Sequence, residues 1–129
     1  MTQQETDEVE YDVFSGSCPS RPTLEHVTGR WGTLTLGALE TGPLRFNALL
    51  RRVEGISQKM LAQTLLALER DGFVHRESLP TAGLHVEYRL TPLGRDTVAQ
   101  LSVLIDLLES RMPEVLAAQR HFDQTRTGA

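Results

Sequence analysis

Over residues 46–72 the apolar positions recur every three or four residues. Phe46, Leu49, Leu50 and Val53 come first, then Ile56, Met60, Leu61, Leu65, Leu66 and Leu68. That spacing predicts two helices, each with one apolar face. Glu54-Gly55-Ile56-Ser57 separates them, with Gly55 as the breaker and Ser57 as the N-cap of the second helix. Two helices about a short glycine turn make a helix-turn-helix pattern. After Gly72 the period drops to two. Residues 73–79 and 84–90 read as strands, the second with apolar side chains at 84, 86, 88 and 90, and Pro80-Thr81-Ala82-Gly83 reads as the turn between them. Helix-turn-helix plus hairpin predicts a winged helix, a mainly α fold with a small β-hairpin.

The flanks add helices. Upstream, residues 22–27 predict a short first helix with Ser20 or Thr23 near its start and Gly29 at its end. Trp31, Leu34, Leu36, Leu39 and Glu40 mark a second, broken by Thr41-Gly42-Pro43. Leu44-Arg45-Phe46 then leads into the helix-turn-helix. Downstream, Thr91 as N-cap and Pro92 in the first helical position start a long helix to about Arg111. Val98, Leu101, Leu104, Ile105 and Leu108 form its stripe, and Pro113 begins a short last helix with Val115, Leu116 and Phe122. Three helices and the hairpin already complete a winged core, so the apolar stripe of the further long helix predicts self-association. A two-fold dimer sets two DNA-facing helices about one turn of DNA apart and suits a palindromic operator.

The chain divides accordingly. Residues 1–17 read as a disordered acidic tail and 124–129 as a fraying end. Residues 18–123 form the winged domain, with the helix-turn-helix at about 46–71, the wing at about 73–90 and dimerisation helices at about 92–122.

Composition adjusts this reading in three places. The chain has 129 residues, 40% of them apolar and 5% aromatic, enough for one helical core. No apolar run approaches the roughly 20 residues of a membrane span and no signal peptide follows Met1, so a cytoplasmic protein without a membrane partner is expected. The net charge of −4 argues against a nucleic-acid partner only until it is located. Residues 1–17 carry −5, while the remaining 112 carry 13 bases against 12 acids. The local field meets the phosphates, not the sum.

Double-stranded DNA is therefore the expected partner. Ser57, Gln58, Lys59, Gln63 and Thr64 are the candidates for the major groove, being residue types that bond base edges and phosphates at the start of a helix. Arg45, Arg51 and Arg52 are candidates for phosphates, and Arg76, His85 and Arg89 for contacts from the wing. Trp31, Phe46, Phe73 and Tyr88 read as core. His26, His75, His85 and His121 lack metal-ligand spacing, so neither a metal nor another cofactor is expected. No nucleophile–base set or phosphate-binding glycine loop occurs, which excludes enzyme classes that need one. The single cysteine, Cys18, excludes an intramolecular disulfide. It is either a small apolar group or a sensor thiol, whose thiolate the first helix's amides and Arg21 would favour.

Five blocks of the chain resemble the HxlR-type family of bacterial transcriptional regulators. They are Cys18-Pro19 with Gly29-Arg30-Trp31; Leu44-Arg45-Phe46-Asn47-Ala48-Leu49; Gly55-Ile56-Ser57-Gln58-Lys59-Met60-Leu61; Leu68-Glu69-Arg70-Asp71-Gly72; and residues 86–94, Val-Glu-Tyr-Arg-Leu-Thr-Pro-Leu-Gly. The resemblance implies a homodimeric winged helix-turn-helix regulator, with dimer contacts from the first and C-terminal helices. It also implies, as in many members, a response to electrophiles, aldehydes, quinones or oxidants, with Cys18 at the redox position. Two other readings stay open. One is a regulator answering a small aromatic or aldehyde, with Cys18 incidental. The other is a winged-helix protein-interaction module without DNA binding.

Overall fold

A computed structural model describes residues 10–80, 83 and 85–126. Helices α1 (Ser20–Thr28) and α2 (Arg30–Ala38) meet at Gly29, and strand β1 (Leu44–Arg45) leads into α3 (Phe46–Arg52). Helix α4 (Gln58–Arg70) precedes strands β2 (Val74–Leu79) and β3 (His85–Leu90), and helices α5 (Pro92–Ser110) and α6 (Met112–Arg126) close the chain. The caps are the predicted ones. Ser57 Oγ accepts from the Met60 amide at 3.0 Å, and Thr91 Oγ1 accepts from the Gly94 amide at 3.0 Å. Thr91 Oγ1 also donates to the Gly72 carbonyl at 2.6 Å, tying the start of α5 to the end of α4.

The core lies between α2, α3, α4 and the first half of α5. Leu36, Leu49, Leu61, Leu65 and Leu68 are wholly buried there, with Phe73, Leu90 and Val98 closing its lower edge. Of the predicted core aromatics Phe73 is buried, while Trp31, Phe46 and Tyr88 are half-buried against the cluster. Helix α4 packs on α1 and α2, and α5 packs on α2.

The structure corrects the sequence reading at four points. Residues 44–45 are a strand, not only a lead-in. Leu44 pairs with Tyr88 and Arg45 with Glu87, so the wing is a three-stranded antiparallel sheet of order β1-β3-β2. Two residues are too few to show a period of two. Met60 and Leu66 do not belong to the buried face of α4. Leu66 follows Leu65 by 100° of helix turn and points away from the stripe of Leu61, Leu65 and Leu68. Helix α6 runs to Arg126, past the point where fraying is expected. Its break from α5 falls at Arg111, whose Nε and Nη2 donate to the Glu114 carboxylate at 2.6 and 2.8 Å. Pro113 cannot donate to the carbonyl of Glu109, which forces the break. The fourth correction concerns Arg21 and is described with Cys18 below.

The β2–β3 register runs from Val74↔Leu90 to Leu79↔His85. Residues 81, 82 and 84 of the predicted wing turn lie outside the described residues, as do 1–9 and 127–129 of the two predicted tails. Between Asp12 and Cys18 the chain makes two successive turns, closed by Ser15 N to Asp12 O and by Cys18 N to Ser15 O. Among the described residues, no helix is long and apolar enough to cross a membrane.

Candidate nucleic-acid interface

Val53 and Ile56 are both buried and anchor the turn between α3 and α4 to the core. Between them Gly55 adopts a φ of +92°, the left-handed region that disfavours other residues. The turn thus fixes α4 with Leu61, Leu65 and Leu68 inward and Lys59, Gln63, Leu66 and Arg70 along the opposite ridge. Ser57, Gln58, Lys59 and Gln63 are exposed. Thr64 is half-buried on the flank of α4, where with Gln63, Met60, Trp31 and Arg30 it lines a shallow groove against α1 and α2.

The predicted arginines separate. Arg45 and Arg51 share a groove between β1, α3 and the wing, lined also by Asn47, His85 and Glu87. Arg52 turns to the other side. It lines a cleft of about 490 Å³ between α2 and α5, with Glu40, Glu54, Asp106 and Glu109. Among the described residues, Arg45, Arg51, Arg52, Lys59 and Arg76 form no ion pair, and all but Arg52, which faces the carboxylates of its cleft, present their charge to an anion. Arg89 is engaged: its Nη1 lies 2.7 Å from Glu77 Oε1 across the hairpin. The register also parts the two wing arginines. Arg76 pairs with Tyr88 and so shares the core-side face, whereas Arg89, His75, Arg45 and Glu87 share the other.

Three features of this surface escape a sequence reading. Leu66 is 66% exposed in the middle of the polar ridge, and Arg70 extends that ridge beyond it. The spacing of 59, 63, 66 and 70 was the available signal, masked because a leucine reads as core. His26 Nδ1 lies 2.6 Å from Asp71 Oδ2, joining α1 to the residue that caps the end of α4. Nothing in the sequence marks a pair 45 residues apart. Among the described residues, no group of three or more His, Cys, Asp or Glu side chains is placed to hold a metal.

Cys18 is half-buried ahead of α1. Its Sγ accepts from the Asp12 amide at 3.2 Å and lies 3.0 Å from Ser20 Oγ. The Ser20 hydroxyl, then the Ser20 and Asp12 amides, hold the thiol below the ordinary cysteine range, against partial desolvation and the Asp12 carboxylate. Arg21 does not serve the thiol. Its Nε and Nη2 donate to the Val13 and Phe14 carbonyls at 2.9 and 2.8 Å and pin the preceding turns.

The family model described as HxlR-like helix-turn-helix matches residues 26–115. The chain is similar to the uncharacterized HTH-type transcriptional regulator YtfH of Escherichia coli (strain K12). The two are 50% identical over 110 residues, covering 85% of this chain and 87% of YtfH. Among solved structures, ytfH from Salmonella typhimurium superposes with a TM-score of 0.80 at 50% identity, covering 86% of this chain and 99% of that one. The redox regulator HypR in its oxidized form does so with a TM-score of 0.66 at 35% identity, covering 72% and 96%. With the caps, the glycine turn and the wing in place, the chain belongs to the HxlR-like helix-turn-helix family of transcriptional regulators.

Proposed function

We propose that the chain acts as a homodimer on a palindromic operator and that modification of its Cys18 thiols changes the hold on DNA. The observation that carries the dimer is the apolar face past Leu101. Val103, Leu104, Leu107, Leu108, Met112, Leu116 and Phe122 are all exposed along α5 and α6, far more than scattered surface leucines. In this reading Ser57, Gln58, Lys59, Gln63 and Thr64 meet the major groove. Arg45 and Arg51 hold phosphates, Arg52 stays in the α2–α5 cleft on the other side of α3, and Arg76 and Arg89 stand on opposite faces of the wing, Arg89 on that of Arg45. The unpaired state of Lys59 and Arg51 supports this, since neither must break an ion pair to reach DNA.

Lys59→Ala tests the interface. Each phosphate contact contributes about 0.9 to the slope of log affinity against log salt. Two copies of Lys59 in a dimer should therefore flatten that slope by about 2 and weaken binding several-fold at low salt. An unchanged slope in a filter-binding titration removes Lys59 from the phosphate set.

The thiol reading rests on the hydrogen bonds that favour the Cys18 thiolate, the nucleophilic form, and on the redox regulator among the similar structures. Oxidation joining Cys18 of one copy to Cys18 of the other removes two electrons and two protons from the thiols, and the oxidant takes them up. Diamide should weaken operator binding of the wild type at least tenfold and leave Cys18→Ser unaffected. An equal response of the two proteins rules the sensor out.

The cleft lined by Arg52 favours a second reading, a response to a small aromatic or aldehyde with Cys18 incidental. Its volume of about 490 Å³ falls in the size range of ligand sites. An inducer that releases Cys18→Ser from DNA as readily as the wild type would select it.

A further inference from the structure

The outward ridge of α4 is polar except at its centre. Lys59 and Gln63 precede Leu66 by seven and three residues, and Arg70 follows it by four, so all four lie on one line of the helix. That line is opposite the buried stripe, and Leu66 is 66% exposed on it. Its neighbours across the ridge, Ala62 and Glu69, leave it uncovered. Leu66 contributes nothing to the core of the protomer, and it lies on α4, away from the exposed apolar face of α5 and α6. In the function proposed above, a groove of DNA is what covers it.

The apolar feature of the major groove is the C5-methyl group of thymine. A leucine side chain cannot satisfy the amino donor of cytosine or the acceptors of guanine, so it penalises those edges by desolvation. We infer that Leu66 reads a thymine methyl in each half of the operator, between the polar contacts of Gln63 and Arg70. The inference rests on α4 lying in the major groove, as in the function proposed above. It adds that one position of each half-site is chosen by apolar contact and not by hydrogen bonding.

The test begins with duplexes enriched by the wild-type protein from random DNA. Each thymine of the enriched site is then replaced singly by deoxyuridine, which removes the methyl group and keeps every hydrogen-bonding edge. At one thymine per half-site the replacement should weaken wild-type binding about four- to tenfold, the scale of one buried methyl contact. For Leu66→Ala the same replacement should cost nothing, while its thermal unfolding matches the wild type because Leu66 packs on no core residue. Leu66→Gln should lose the preference for thymine over cytosine at that position. An enriched site in which no thymine behaves this way, or one whose deoxyuridine penalty persists in Leu66→Ala, overturns the assignment of Leu66 alone. A wild-type protein that enriches no sequence overturns both this inference and the operator reading beneath it.

Discussion

Gly32→Ala is expected to lower the midpoint of thermal unfolding by ten degrees or more. A Cβ built on Gly32 would lie 1.7 Å from the His26 carbonyl oxygen and 3.0 Å from its carbonyl carbon. Both obstructing atoms are backbone, so no rotamer change relieves the overlap, and α1 must move off α2. Overpacking of a close-fitted site costs about 1–3 kcal/mol and more where the neighbours cannot yield, so about 3 kcal/mol is the expected loss here. For a domain of this size each kilocalorie shifts the midpoint by roughly 3–6 °C. Gly37→Ala is the control. It lies in the same helix, nothing stands within 4 Å of its added methyl, and alanine is the better helix former by about 1 kcal/mol. Circular-dichroism melts should therefore move in opposite directions for two substitutions five residues apart. If Gly32→Ala melts with Gly37→Ala, the close crossing of α1 and α2 is wrong.

That crossing matters for function because α1 links two parts of the molecule. Cys18 stands at its entrance, and His26 near its other end holds Asp71 at the cap of α4. A displacement of α1 by one added methyl would disturb both, so operator affinity should fall with stability in Gly32→Ala.

What the sequence made legible was local. Gly55, Ser57, Thr91 and Pro92 each declare a break or a cap within a few residues, and the change of period after Gly72 declares the wing. What it hid depended on distance or on direction around a helix. Strand β1 exists only because Leu44 and Arg45 find Tyr88 and Glu87 more than forty residues later. Arg89 is committed to Glu77 by a hairpin register that no pattern specifies. Arg51 and Arg52 look equivalent in the chain, yet one helical step of 100° sends the first to the wing groove and the second to the α2–α5 cleft. Leu66 was hidden by its own chemistry, since apolar residues are assigned inward by default. For the outward ridge of α4, angle around the helix decides more than residue type.

Leu104→Glu combined with Leu108→Glu is expected to convert the protein to a monomer and to weaken binding to a palindromic operator at least a hundredfold. The two leucines lie one turn apart on α5, and both are about half exposed in the protomer. Neither belongs to the core cluster, which ends on this helix at Leu101. Glutamate is also a good helix former, so the melt of the dilute protein should retain the fold of the winged core. Buried against a second copy, however, four carboxylates would face an apolar surface without partners, a cost well beyond what such an interface supplies. Loss of the dimer removes the second half-site as an intramolecular event, and that linkage multiplies affinity by about 10²–10⁴. Light scattering should report the mass of one chain, and the variant should bind a full palindrome and a single half-site with nearly equal strength. A variant that remains dimeric would place the interface on another surface. A monomer that still binds the palindrome far more tightly than the half-site would mean that copies meeting on DNA are coupled through another surface and that the helices beyond Leu101 serve some other purpose.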